Sequence, residues 1–295
     1  MEKIVLIGGN TIDYIATSKN KLIKKTSNIG SLSISLGGVM RNICVNLANL
    51  GMKCYFFTCI GSDLYGKMMN DDLNKHNIDV LSPKIDNFNN ASYICINDSN
   101  HDIEDAIIDN EIMKELTFDF LLDNKNVFDK SSYLVMDTNL DEEEIDNIFN
   151  EFKDKKIIVE AISRSKVNRI KAHLKDIYLL KCNIFEARTL LNDETSSGEI
   201  LLDKFISLGV RNLILSQGGD SILYLENFKK GEVKIEKEES IVNTTGCGDA
   251  LLAGIIYKIV NNFSLEEGIK FGREMAKITL HSKEATSEKV MELVK

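Results

Sequence analysis

The feature that most constrains this chain is an alternation that begins near Ser131, where short β-rich runs take turns with helical patterns. SYLVMD, KIIVEA, IYLLKC and NLILSQ are separated by segments that include 142–152 and 200–208. Apolar strands joined by helical crossovers make βαβ units, so this half predicts a mainly parallel central sheet flanked by helices, an α/β fold. The N-terminal half is less regular. Residues 4–7 and 54–59 read as buried strands around a helix over 41–50, in which Ile43, Leu47 and Leu50 follow helical spacing. Segments 31–36 and 92–96 alternate more like half-buried antiparallel strands and sit beside polar stretches, which predicts a small β-strand lid. With no internal repeat and no low-complexity linker, we expect one domain over 1–295, with lid segments near 14–36 and 88–112. Residues 86–90 read as a loop.

At 295 residues the chain can bury a large core, and 43% hydrophobic with 27% charged residues is ordinary for a folded protein. A formal charge of -9 argues against nucleic acid as a partner, since phosphate backbones are bound by clustered Lys and Arg. A small-molecule partner fits better. The run after Lys3 is too brief for a signal-peptide core, and no stretch approaches the ~20 apolar residues that cross a bilayer, so we expect a cytoplasmic protein with no membrane partner. Cys44, Cys54, Cys59, Cys95, Cys182 and Cys247 form no CxxC pair and stand among apolar neighbours. Buried free thiols therefore outrank zinc or a disulfide framework.

The sharpest local signal is Thr244-Thr245-Gly246-Cys247-Gly248-Asp249-Ala250, followed by Leu251, Leu252, Ile255, Ile256 and Ile259 at helical spacing. A glycine-rich turn thus opens an apolar helix. Free N–H groups at such an N-terminus, backed by the helix dipole, stabilise charge on phosphate. Read alone, Asp249 is an ordinary first-turn acid complementing that dipole. Gly246 and Gly248 argue for more, because they allow close backbone approach and no packing reason needs both.

Two other glycine clusters are decoys. Gly61 to Lys67 spells GxxxxGK, but a P-loop needs Ser or Thr next, Met68 stands there, and Asp63 would lie among the phosphates. A turn before a helix is the better reading. Gly8-Gly9 after the first strand lacks the G-x-G-x-x-G spacing of a dinucleotide site, which disfavours hydride transfer.

TGCGDALLAG resembles the TGAGDxFxAG signature of the PfkB, or ribokinase-like, carbohydrate kinase family. The resemblance spans nearly the whole chain. Gly8 to Asp13 looks like the first-strand motif, Gly37-Gly38-Val39-Met40-Arg41-Asn42 like GGxxxN, Gly61 to Gly66 like GxDxxG, and Asn183-Ile184-Phe185-Glu186 like NxxE. Five ordered matches are specific where any one is weak. Within the family, GGVMRN, the MDTNL run from Met136 and the stretch 106–116 look like the pseudouridine kinase branch.

The resemblance implies a ribokinase-like fold and phosphoryl transfer from ATP to a hydroxyl of a nucleoside or sugar. It implies Asp249 as base, with Gly246, Cys247 and Gly248 stabilising the phosphoryl charge through backbone N–H groups. Asp13, Gly37, Gly38, Arg41 and Asn42 would hold the acceptor. Asn183 and Glu186 would organise Mg²⁺ through water, while Ser216, Gly218 and Thr245 would contact the nucleotide. A homodimer through the lid is implied as well. Alternatives are a ribose- or fructose-type sugar kinase, another nucleoside kinase, or a catalytically silent sensor. The chain also departs from the pattern. Val159 to Ser163 stands where the pseudouridine branch reads DPVS, Cys182 replaces a proline and Ser221 a glycine. Asn243 replaces an aspartate that helps hold a monovalent cation, which leaves activation by K⁺ open, because an amide oxygen ligates cations more weakly than a carboxylate.

Overall fold

The computed structural model describes residues 2–99, 103–219, 221–236, 238 and 241–295. Residues 100–102, within the expected lid segment 88–112, lie outside the described residues. The chain begins with β1 (Lys3–Ile7), β2 (Thr11–Ser18), β3 (Gly30–Gly37) and α1 (Val39–Asn49), then β4 (Lys53–Phe57), α2 (Leu64–Lys75) and β5 (Asp79–Leu81). Next come β6 (Ser92–Asn97), β7 (Ile103–Asp109), α3 (Phe118–Asp123), α4 (Lys125–Phe128), β8 (Tyr133–Asp137), α5 (Glu142–Glu151) and β9 (Lys156–Glu160). The chain ends with β10 (Leu179–Asn183), α6 (Ile184–Leu191), α7 (Gly198–Ser207), β11 (Leu213–Ser216), β12 (Ser221–Glu226), β13 (Lys229–Lys234), α8 (Cys247–Val260) and α9 (Leu265–Leu280).

Nine strands form the central sheet in the order β13, β12, β11, β10, β9, β8, β1, β4, β5. All neighbours from β11 to β5 are parallel, and β12 and β13 close one edge as an antiparallel hairpin. Successive side chains of a strand point to opposite faces, so apolar strands bury two surfaces. Val5, Ile7, Leu134, Met136, Val159, Leu180 and Cys182 join one core with side chains of α4, α5, α6 and α7. Ile4, Leu6, Val135, Ile158 and Leu179 join the other, against α1, α2, α8 and α9. The alternation read from sequence becomes a three-layer α/β/α body. Among the described residues no helix is long and apolar enough to cross a membrane.

The second sheet runs β3, β2, β6, β7. Segments 31–36 and 92–96 lie outside the central sheet, as expected. They do not pair with each other, because β2 stands between them, antiparallel to β3 and parallel to β6. β2 escaped the sequence reading because its start doubles as a functional motif and its pattern TIDYIATS is mixed. β3 is also more exposed than the half-buried strand expected, since its first residues are open on both faces. One face of this sheet gathers Tyr14, Ile34, Ile94 and Ile107 in register, with Leu32, Ala16 and Ile96 beside them. The opposite face carries Asp13, Ser35 and Tyr93.

One glycine shows why the chain must turn where it does. Gly38 has φ 96°, and a Cβ there would stand 2.5 Å from Asn10 Cα, so α1 starts only because two backbones touch. Buried Asn10 donates to Thr58 Oγ1 and to the Cys59 carbonyl, both at 2.8 Å, and accepts from Asn90 Nδ2 at 2.8 Å. These bonds tie the root of β2 to the segment leading into β6.

Candidate active site

The polar side chains gather at the C-terminal ends of the parallel strands, where ligands of open α/β sheets bind. Register places Asp137 beside Glu160, Glu160 beside Lys181, and Asn183 beside Ser216. Because Val135, Ile158 and Leu179 face α8, their second neighbours Asp137, Glu160 and Lys181 share that face.

Over this edge comes the turn that opens α8. Gly246 has φ 82°, and a Cβ on it would stand 2.1 Å from the Ala285 carbonyl oxygen. Conformation and space both demand glycine there. Asp249 in the first turn is buried. Burial pushes its carboxyl up to about 6; Asn42 and the Lys181 charge oppose that rise, and Asp13 adds to it. A carboxylate poised near neutrality is suited to taking a proton at physiological pH.

Asn42 Nδ2 donates to Asp249 Oδ2 at 2.8 Å, and Arg41 Nη1 donates to Asn42 Oδ1 at 3.0 Å. The amide is therefore oriented from both ends. Arg41 is 4% exposed, so it is not a surface arginine. Its guanidinium also donates to the Leu36 carbonyl at 3.3 Å and to Asp72 Oδ2 at 2.5 Å. Arg41 Nε is buried and has no hydrogen-bond partner among the described residues.

Asp13 is buried on the same side. It accepts from Thr11 Oγ1 at 2.6 Å, and burial raises its pKa against the pull of Thr11 and Arg41. A Cβ on Gly37 would stand 2.0 Å from Asp13 Oδ2, so Gly37 leaves room for that carboxylate. Gly38, by contrast, is explained by its backbone contact with Asn10.

Asn183 and Glu186 are joined by a capping box. Asn183 Oδ1 accepts from the N–H groups of Phe185 and Glu186, both at 2.9 Å, and Glu186 Oε2 accepts from Asn183 N–H at 2.8 Å. Glu186 is buried rather than solvated. Ser216 ends β11 beside Asn183, half-buried. Gly218 has φ 72° in an exposed turn with nothing within 4 Å of where its Cβ would stand, and Thr245 is exposed with its N–H on Asn243 Oδ1 at 2.9 Å. The structure thus brings Asp249, Asn42, Arg41, Asp13 and Gly37 into one connected group and Asn183, Glu186 and Ser216 into a second. Gly218 and Thr245 have no direct bond to either group.

Asp63 caps α2 through its Oδ1, which accepts from Gly66 N–H at 2.8 Å, and a Cβ on Gly66 would strike the Gly61 carbonyl at 1.9 Å. The P-loop decoy is a helix start. Cys44, Cys54, Cys59, Cys95 and Cys182 are buried free thiols, and Cys247 is half-buried.

Sequence reasoning missed three groups. Asp137 accepts from Gly9 N–H at 3.2 Å and from Asn139 N–H at 2.8 Å, and burial lifts it to about 6. Lys181 Nζ donates to Glu160 Oε1 at 2.7 Å, both of them buried. The available signal was a charged residue in an otherwise apolar strand: Asp137 and Glu160 close β8 and β9, and Lys181 stands inside β10.

Pseudouridine kinase of Escherichia coli (strain K12) is 29% identical over 281 residues, 94% of this chain and 90% of that protein. The crystal structure of a putative sugar kinase from Clostridium perfringens matches with a TM-score of 0.82 at 27% identity, covering 100% of this chain and 94% of its own. A ribokinase from Thermotoga maritima shares the fold, with a TM-score of 0.84 at 21% identity over 100% and 99% of the two chains. The family model described as pfkB family carbohydrate kinase matches residues 1–291, and the chain belongs to that family.

Proposed function

We propose that this kinase transfers the γ-phosphoryl group of ATP to the 5′-hydroxyl of a ribose-bearing nucleoside, with pseudouridine as the preferred acceptor. The observation that carries the acceptor assignment is the 29% identity to a pseudouridine kinase along 94% of the chain. The group that carries the chemistry is Asp249, buried at the start of α8 and held by Asn42.

Phosphoryl transfer asks mostly for positioning and charge stabilisation. Asp249 accepts the hydroxyl proton as the oxygen attacks. Backbone N–H groups of Gly246, Cys247 and Gly248 face the charge that develops on the transferring group. Asp13 accepts hydrogen bonds from the ribose diol, and Asn42 contributes on the same side while holding Asp249. Arg41 orients Asn42. The nucleotide lies along Ser216, Gly218 and Thr245.

Magnesium fits this edge. Glu186 and Asp249 are buried carboxylates that act on the Lys181 ammonium, and Glu160 Oε2, also buried, has no hydrogen-bond partner among the described residues, so the edge offers oxygen ligands to a hard cation. Among the described residues no cluster of three His, Cys, Asp or Glu side chains converges on a point. Asn183 and Glu186 would therefore hold Mg²⁺ through water, and the ion would neutralise phosphate charge.

The four-stranded sheet serves as the lid that excludes water, since an open site would let ATP hydrolyse. Its exposed apolar face, with Ile107 at 71% exposure and Ile34 at 50%, suits a second copy of the chain. Mass spectrometry and phosphorus NMR of the product formed from ATP and pseudouridine test the assignment. A 5′-monophosphate is expected, and a product phosphorylated elsewhere would contradict it.

A further inference from the structure

Glu160 and Lys181 do no chemistry in the reaction written so far, yet both are buried. Replacing a buried ion pair with packed apolar side chains is often neutral or stabilising, so such a pair is weak support for a fold. Ile158 and Leu179, the preceding pair on the same face of the same two strands, are packed apolar residues. Something other than packing accounts for the charges.

The surroundings of the ammonium indicate what. Lys181 Nζ lies 2.7 Å from Glu160 Oε1 and 3.1 Å from the point where a Cβ on Gly248 would stand. The ammonium thus sits against the backbone of the second residue of α8. A cation at a helix N-terminus works against the dipole, so this placement is favourable only if negative charge gathers at the same point. Asp249 supplies part of it. Among the described residues, Glu160 Oε2 has no hydrogen-bond partner.

We propose that Lys181 is a positioning residue for phosphoryl transfer: clamped by Glu160, its ammonium sets the Gly248 backbone and the Asp249 carboxylate relative to each other and places a permanent positive charge behind the turn. The inference rests on the reading that this turn faces the transferring phosphoryl group. Fixed charge aimed at a developing anion stabilises the transition state without reorganisation at the moment of reaction.

The test compares E160Q/K181M, which removes both charges and keeps the shape, with K181R, which keeps the charge. Wild-type enzyme is assayed first with its best acceptor; if no acceptor is turned over, the functional reading fails before this one is reached. Melting temperature and affinity for ADP are measured alongside affinity for ADP with aluminium fluoride, a mimic of the transferring phosphoryl group. Expected for the pair variant are a wild-type-like melting temperature, both KM values within about threefold, and a loss of about 100-fold in kcat and in affinity for the mimic, the scale of removing one charge-stabilising donor. K181R should recover at least about a tenth of wild-type kcat, since its charge persists. A folded pair variant with kcat and mimic affinity within threefold of wild type overturns the proposal. If the pair variant does not fold, K181R decides: a folded K181R with under a hundredth of wild-type kcat overturns it, and retained turnover supports it.

Discussion

Asn42 Nδ2 donates to Asp249 Oδ2 at 2.8 Å, joining the first turn of α1 to the first turn of α8 across the end of the sheet. The bond favours the carboxylate form of Asp249, against the burial that raises its pKa to about 6. Activity that needs this carboxylate should fall as pH drops through about 6. In N42A the opposing hydrogen bond is gone, so the acid limb of the kcat profile should move upward by about one to two units, given roughly 1.5–3 kcal/mol for a hydrogen bond to a charged group and 1.36 kcal/mol per unit. An unmoved limb would detach Asn42 from the base.

Asp249→Asn should bind ATP and lower kcat by about 10²–10⁴-fold, the scale of losing a general base. It should also stabilise the fold. The folded pKa of about 6 lies above the ordinary 3.8, so the contribution of Asp249 to stability is present below 3.8 and lost as pH rises through about 6. At pH 7.5 the buried charge costs about 3 kcal/mol by that shift, at 1.36 kcal/mol per unit. Thermal melts should show D249N above wild type at pH 7.5, with the gap shrinking toward pH 4; a gap independent of pH would refute the assignment.

The acceptor side is probed without touching the base. Asp13→Ala removes a carboxylate that would accept two hydroxyl hydrogen bonds, each worth roughly 1.5–3 kcal/mol, and should raise the acceptor KM far more than the ATP KM. Gly37→Ala keeps that carboxylate but drives a methyl group to 2.0 Å from Asp13 Oδ2, and should give the same asymmetry. Steady-state kinetics with each substrate varied would show it, and equal effects on both KM values would count against the diol role.

Replacing Ile94 and Ile107 with lysine charges the exposed face of the small sheet while leaving the Asp13 face intact. Sedimentation should find a dimer for the wild-type chain and a monomer for this variant. If both proteins sediment alike, that face is not the dimer interface.

Much of this molecule was legible in the sequence because parallel sheets write themselves as apolar runs between helical patterns. SYLVMD, KIIVEA and NLILSQ became β8, β9 and β11, and the GGVMRN and TGCGDA motifs became the starts of α1 and α8. Other features depend on pairing that no local pattern records. β2 was hidden because one strand face must seat Asp13 while the other joins the exposed apolar surface, which leaves no clean alternation. Arg41 read as a substrate contact, and its bonds to Asp72, Leu36 and Asn42 appear only once α2 lies beside α1. Lys181 meets Glu160 across neighbouring strands, a contact set by register rather than by spacing.

The most direct measurement is kcat/KM for ATP-dependent phosphorylation of pseudouridine, uridine, ribose and fructose by the same preparation. Pseudouridine presents an extra ring N–H where uridine has its glycosidic bond, and a site that pairs a buried acceptor with that donor discriminates strongly against a substrate lacking it. The account expects the highest kcat/KM with pseudouridine and a 5′-monophosphate product. A free sugar used better than pseudouridine would leave the kinase intact and contradict the acceptor assigned to it.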